Sequence, residues 1–283
     1  MNIGKYKIST MEPGTFGLDG GAMFGIIPKP LWNKTTPADE KNRIKLGTRC
    51  LLLESESKKI LIDTGMGDIW NEKYRKIYAI DQPENALVNL LKEKNIKLDE
   101  ITDVILTHLH FDHVGGAVVF DNGKAIPAFP NAKYHVQKDQ FEWASEPSDK
   151  DKGSFVNSTF LPLRKEGLLK FVKGEKQFDD EITLIPTGGH TFGHQIVKIQ
   201  DSSNTLLYCA DLIPTAAHIP LPYIMGYDIN PLISIEEKRM YLNLADTQEW
   251  KILFEHDPEY VGATIKRTNT GFTVKEKYKE LDG

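Results

Sequence analysis

The run His108-Leu109-His110-Phe111-Asp112-His113, directly behind the apolar stretch Val104-Ile105-Leu106-Thr107, restricts this chain more than any other feature. The apolar stretch reads as a buried strand, and in extended backbone residues i and i+2 point the same way, so His108 and His110 can grip one cation from one side. Asp112 and His113, at the turn that follows, can face a second cation close by. Imidazoles with a carboxylate and no thiolate suit Zn, Mn or Fe, and a mixed His/Asp set is typical of a site that keeps positions open for water. The fold has to bring further ligands to that strand end. Suitable side chains end other strand-like runs: His190 after EITLI in Thr187-Gly188-Gly189-His190, Asp211 after TLLYCA, and His256 after WKILFE. Strand ends gathered on one sheet edge are where open α/β-type architectures place their sites.

Around this motif the chain alternates short apolar runs with turn signals. Strands are expected at 6–8, 49–54 and 59–63, the last two as a hairpin turning at the polar SESK. A helix is expected over 83–94, with Asp81 and Glu84 as its capping box and Leu87, Leu90 and Leu91 on one face. Further strands are expected at 101–107, 133–136, 168–172, 181–185, 195–200 and 205–210. Ser234 and Glu237 form a second capping box, opening a helix through about Asp246 before WKILFE and a last strand near YVGATIK. The mixture is α/β or α+β. With 283 residues, no repeat and no low-complexity linker, residues 1–283 read as one continuous domain.

Composition excludes several classes. Against 40 acidic residues stand 35 Lys and Arg, a net charge of -5 without a long basic run, so no nucleic-acid partner is expected. The most apolar stretch, 205–227, is interrupted by Asp211, Pro214, His218, Pro220 and Pro222, so no membrane span is expected. The first ten residues lack the apolar segment of a secretory signal. Cys50 and Cys209 sit inside apolar strands, where a thiol is a small hydrophobe, and a cytoplasmic setting fits.

The motif and its partners, in this order, resemble the metallo-β-lactamase superfamily over essentially the whole chain. The resemblance implies an α+β fold of four layers, αβ/βα: a sandwich of two mixed β-sheets with helices on the outer faces. It also implies two divalent ions, Zn²⁺ in the first place, with Mn²⁺ or Fe accepted by the same donors. His108, His110 and His190 would hold the first, Asp112, His113 and His256 the second, and Asp211 would bridge them. Asp63, in Leu61-Ile62-Asp63-Thr64-Gly65, matches the family aspartate that orients the ligands from behind, and His194 could hydrogen-bond there too. His135 reads as an ordinary structural histidine. Gly115-Gly116 and Gly188-Gly189 would let the backbone approach the metals.

Gly20 to Gly25 and Ala210 to His218 are similar to the branch containing quorum-quenching lactonases and methyl parathion hydrolase. That implies a hydrolase of acyl-homoserine lactones or related small apolar lactones and esters, working through a hydroxide between the ions, with Asp112 and Asp211 catalytic. Phosphotriesters and aryl esters are the alternative substrates; a di-iron redox protein or a nuclease is the remoter alternative. One position departs from the branch: the tyrosine three places after the bridging aspartate is here Pro214. Another group, Tyr223 or Tyr227, would have to meet the substrate carbonyl, unless the metals act alone. Phe24, His218, Tyr223 and Tyr227 are the expected substrate contacts, and the apolar segment from Phe16 to Trp32 reads as a pocket wall or as the interface of a homodimer.

Overall fold

The computed structural model describes residues 1–281. Period-2 apolar patterning builds two seven-stranded sheets. The first runs Asn2–Ile3, Tyr6–Met11, Cys50–Glu54, Lys59–Ile62, Asp103–Ile105, Lys133–Gln137, Leu169–Val172 in spatial order, antiparallel as far as Lys59–Ile62 and parallel beyond it. The second runs Lys176–Gln177, Ile182–Thr187, His194–Gln200, Thr205–Tyr208, Lys251–Leu253, Gly262–Thr268, Gly271–Tyr278, with one parallel pair, Thr205–Tyr208 with Lys251–Leu253.

Alternate residues of a strand serve alternate layers. Leu51, Leu53, Ile60, Ile62 and Ile105 meet Leu184, Val197, Ile199, Leu206 and Tyr208 between the sheets. Cys50, Leu52, Leu61 and Val104 point outward onto Leu87, Leu91, Phe160 and Leu163 of the helices Ala86–Glu93 and Asn157–Lys165. On the far side Ile196, Leu207, Cys209 and Ile252 pack on Tyr241, Leu242 and Ala245 of the helix Pro231–Thr247. Strands covered on both faces need near-continuous apolar sequence, and Cys50–Leu53 is fully buried along its length. The fold is the expected α+β sandwich of two mixed sheets with helices outside. No helix among the described residues is long and apolar enough to cross a membrane. Cys50 and Cys209 are buried and unpaired.

Local chemistry departs from expectation at identifiable places. The first long helix starts at Ala86, not Pro83, and its N-cap Asn85 adopts φ 54° without a side-chain cap, because the Asp81 backbone is engaged by Thr15. The later helix starts at Pro231, whose missing N–H suits a first helical position, so Ser234 lies inside it. Glu237 does not cap it: its carboxylate accepts from Gly188 N and Gly189 N. The chain also ends in a full hairpin with Gly271–Tyr278, a solvated edge strand whose sequence TVKEKY hides the pattern behind charge.

The glycines around the motif serve the loops. A Cβ on Gly115 would lie 2.0 Å from Met66 O, and one on Gly116 2.3 Å from Thr64 O, so this pair lets residues 64–67 close over the motif. A Cβ on Gly189 would meet Ser234 N at 2.4 Å, whereas one on Gly188 would meet nothing within 4 Å. Gly115→Ala is therefore expected to lower stability in urea unfolding by about 1–3 kcal/mol or more, with Gly188→Ala changing it by less than about 0.5 kcal/mol.

Candidate metal centre

Five strands deliver their carboxyl ends to one edge of the sandwich: Ile62 leads to Asp63, Ile105 to His108, Thr187 to His190, Tyr208 to Asp211, and Leu253 to His256. The sheets are tied together there by Gln195, whose N donates to Thr107 O and whose Nε2 donates to Leu106 O, both at 2.8 Å. Asp112 and His113 stand not in an open turn but on the single helical turn Phe111–Val114, for which His110 is the N-cap. Two residues that carry or precede ligand-region carboxylates adopt the left-handed region without being glycine, Asp63 at φ 56° and Ala210 at φ 44°. Such strain persists where surrounding structure enforces it, as at functional sites.

The donors fall into two buried sets, His108, His110, His190 with Asp211, and Asp112, His113 with His256. Asp211 joins them. Its Oδ2 lies 3.1 Å from His190 Nε2 and 3.8 Å from His108 Nε2, while its Oδ1 lies 2.9 Å from His256 Nε2 and 3.6 Å from His113 Nε2. Asp112 Oδ2 is 3.6 Å from His256 Nε2 and 3.8 Å from His113 Nε2. These separations are those of neighbouring ligands about an ion bonded at roughly 2.0–2.2 Å.

The outward nitrogens decide what the inward ones offer. His190 Nδ1 donates to Asp228 Oδ1 at 3.0 Å, His256 Nδ1 to Gly47 O at 2.7 Å, and His113 Nδ1 faces Asp63 Oδ2 at 3.2 Å and Glu255 Oε2 at 3.0 Å. Asp63 also accepts from Thr107 N at 2.7 Å and Thr107 Oγ1 at 2.6 Å, leaving Thr107 Oγ1 to accept from His108 Nδ1 at 3.1 Å. With outer N–H groups committed outward, neutral imidazoles turn lone pairs inward, a tautomer that suits a metal ligand. Those lone pairs confront each other: His190 Nε2 is 3.1 Å from His110 Nδ1, and His256 Nε2 is 3.2 Å from His113 Nε2. His108 Nε2 and Asp211 Oδ1 are buried without hydrogen-bond partners. Positive charge between them, a metal ion or a proton, resolves this arrangement, and the residues present fit divalent metal.

In a metal-free centre protons take that place. Burial lowers His190 and His256, but the Asp211 carboxylate outweighs it and raises both to about 9. Burial and the neighbouring imidazoles hold His108, His110 and His194 well below the usual histidine range. Burial also lifts Glu255 to about 8, with His113 opposing.

A cavity of about 260 Å³ opens on the donors, walled by Leu18, Met23, Tyr78, Phe111, Met225 and Tyr227. Of the expected substrate contacts only Tyr227 lines it. Phe24 is buried behind the wall, stacked between Trp32 at 5.3 Å and His218 at 4.5 Å. His218 hydrogen-bonds Met23 O at 2.9 Å and Thr215 Oγ1 at 2.8 Å, and Tyr223 turns its edge to Phe24 and lines a separate groove. These three shape the wall from behind, because apolar bulk in a Gly- and Pro-rich segment packs inward before it faces solvent. His194 bonds Thr187 Oγ1 at 2.6 Å, its ring 5.0 Å from that of His108; His135 pairs with Asp103 at 2.7 Å, far along the strand from the centre. Sequence reasoning missed Tyr78, Asp228 and Glu255. Only Glu255, beside a candidate ligand, carried any local signal.

A family model described as Metallo-beta-lactamase superfamily matches residues 44–263. An N-acyl homoserine lactonase of Bacillus thuringiensis is 27% identical over 228 residues, 76% of this chain and 83% of its own length. A probable metal-dependent hydrolase from Staphylococcus aureus shares the fold at TM-score 0.89 and 30% identity, over 100% of both chains. AidC, a dizinc quorum-quenching lactonase solved with a homoserine product, superposes at TM-score 0.81 and 22% identity over 97% of this chain and 95% of its own.

Metal uptake is expected to release protons, since His190, His256 and His113, the last lowered by burial but raised well above the usual histidine range by the Glu255, Asp112 and Asp211 carboxylates, must each lose one. Apparent affinity should rise with pH through about 9, where His190 and His256 are each half deprotonated, and continue to rise above it until all three are neutral. Titration calorimetry of chelator-stripped protein with zinc in buffers of different ionisation enthalpy measures the protons released, and a buffer-independent heat at pH 7 contradicts this assignment.

Proposed function

The chain belongs to the metallo-β-lactamase superfamily and is a hydrolase, and from that premise we propose that it is a dinuclear lactonase acting on acyl-homoserine lactones or related apolar lactones. The observation that carries the reading is Asp211 with one oxygen turned to each donor set, directly under an apolar cavity. Lactonases among the relatives support the substrate class. When bound at the two sets, divalent ions, Zn²⁺ in the first place, supply Lewis acidity towards the carbonyl and a water activated at neutral pH.

The chain's own groups do the rest. Leu18, Met23, Phe111 and Met225 bind the acyl chain and exclude water from it. Tyr227 and Tyr78 stand on the same cavity wall; burial first, and nearby acidic groups next, raise both phenols, Tyr227 to about 12. They therefore stay protonated at neutral pH and can donate to the substrate carbonyl, the role that Pro214 cannot fill. Pro214 instead offers its carbonyl to His256 N at 3.0 Å. Asp112, which lines the cavity with Oδ2 towards His256, takes a proton from the attacking water and passes it to the ring oxygen as the acyl carbon–oxygen bond breaks. The product is an acyl-homoserine whose new carboxyl loses its proton to solvent.

Zinc-loaded protein is expected to hydrolyse N-hexanoyl- and N-decanoyl-homoserine lactone with kcat/KM of about 10⁴ M⁻¹s⁻¹ or more, and chelated protein not to. Asp112→Asn with metal retained should lose about 10²-fold or more in kcat, and Tyr227→Phe about 10²-fold. Turnover of phosphotriesters or aryl esters but not of lactones would move the assignment to those substrates while keeping the centre.

A further inference from the structure

One wall of the cavity is irregular. Residues 220–230 form no helix or strand, yet they present Met225 and Tyr227 to the cavity and Asp228 to His190. Buried backbone carbonyls need donors, and Pro220 and Pro222 cannot supply N–H groups. The missing donors come from a side chain. Lys238, only 1% exposed in the middle of the helix Pro231–Thr247, donates from Nζ to Pro220 O at 3.1 Å, Leu221 O at 3.4 Å and Tyr223 O at 2.8 Å. The carboxylate acting on it, Asp228, is hydrogen-bonded to His190 instead.

A buried ammonium is expensive, and burial pulls this one down to about 7. Helix packing alone would be served by methionine, which is one atom shorter and carries no charge. The segment shows what the charge is for. Its internal turns, Tyr223 N to Pro220 O at 3.0 Å and Ile224 N to Pro222 O at 3.1 Å, are short-range; Gly226 N to Ala22 O at 2.7 Å ties it to the other wall. At its far end the exposed Lys150 donates to Tyr227 O and Asp228 O, both at 2.8 Å, where water competes. Ile229 N to His190 O at 3.0 Å and Asn230 N to Gly189 O at 2.8 Å fix its last two residues, and Lys238, buried, is the side chain that fixes its start.

We propose that Lys238 is a positioning residue for the substrate: by gathering the carbonyls of Pro220, Leu221 and Tyr223 it sets the path of the segment and hence the placement of Met225 against the acyl chain and of Tyr227 against the carbonyl. This rests on reading the cavity as the substrate pocket. A stem-conserving Lys238→Met should leave the helix in place and release the wall.

The test compares zinc-loaded parent, Lys238→Met and Leu242→Ala, the last a core truncation in the same helix. Hydrogen exchange read by mass spectrometry should show amides in residues 223–228 exchanging about tenfold faster in Lys238→Met, with the helix unchanged. KM for N-decanoyl-homoserine lactone should rise about tenfold as Met225 leaves the acyl chain, and kcat should fall about tenfold as Tyr227 leaves the carbonyl. Leu242→Ala should lower Tm and speed exchange in the helix without that KM change. Unchanged exchange over 223–228 in Lys238→Met, or the same exchange and KM pattern in both variants, overturns the proposal. Should Lys238→Met not fold, Lys238→Gln, which keeps two N–H donors but shortens their reach, is read the same way. If the parent hydrolyses no lactone, the lactone reading fails, and the exchange result alone decides whether Lys238 holds the wall.

Discussion

The structure turns on a concentration of lone pairs around Asp211. Buried imidazoles aim their inner nitrogens at each other and at the two oxygens of one carboxylate, an arrangement that protons hold together when no metal is bound and that divalent ions suit. Everything nearby follows from holding that arrangement. Asp228, Gly47 and the Asp63–Glu255 pair receive the outward N–H groups, and Thr107 links Asp63 to His108. Loops closed at glycine contacts too tight for a Cβ bring residues 64–67 over the motif.

The cost of burying so much polarity is met by the sandwich. Two sheets share one apolar interior, and their outer faces are covered by helices, so the strand ends on one edge are rigidly placed while the side chains beyond them remain free to converge. The cavity that opens there combines rigid donors with an irregular wall. That wall, residues 220–230, is where the chain differs in character from the rest: it forms no helix or strand, and beyond its short turns it is held by Lys238, Lys150, Ala22 and the backbone of Gly189 and His190.

Much of the centre was legible because metal ligation imposes chemistry on particular positions. His108, His190, Asp211 and His256 are ligand-type residues just after strands, His110, Asp112 and His113 complete the motif on the turn behind one of them, and the structure brings all of them together. Asp63 was legible for the same reason. The substrate wall was not, since Phe24, His218 and Tyr223 are as apolar or aromatic as residues that line a pocket, and only packing shows that they stack behind it. Tyr78 and Asp228 lie far in sequence from the motif and carry no local sign of where they end up.

Alternation of apolar residues and the ligand motif belong to the chain itself: each strand knows which face it buries, and His108, His190 and His256 follow strands whatever their neighbours are. Which glycine meets which carbonyl, which nitrogen of an imidazole faces inward, and which tyrosine reaches the cavity depend on contacts between residues far apart in the chain. Glu237 shows the difference. From sequence it caps its own helix; in the structure it turns to Gly188 and Gly189, because the loop before His190 arrives there with two unpaired N–H groups and Pro231 has already begun the helix.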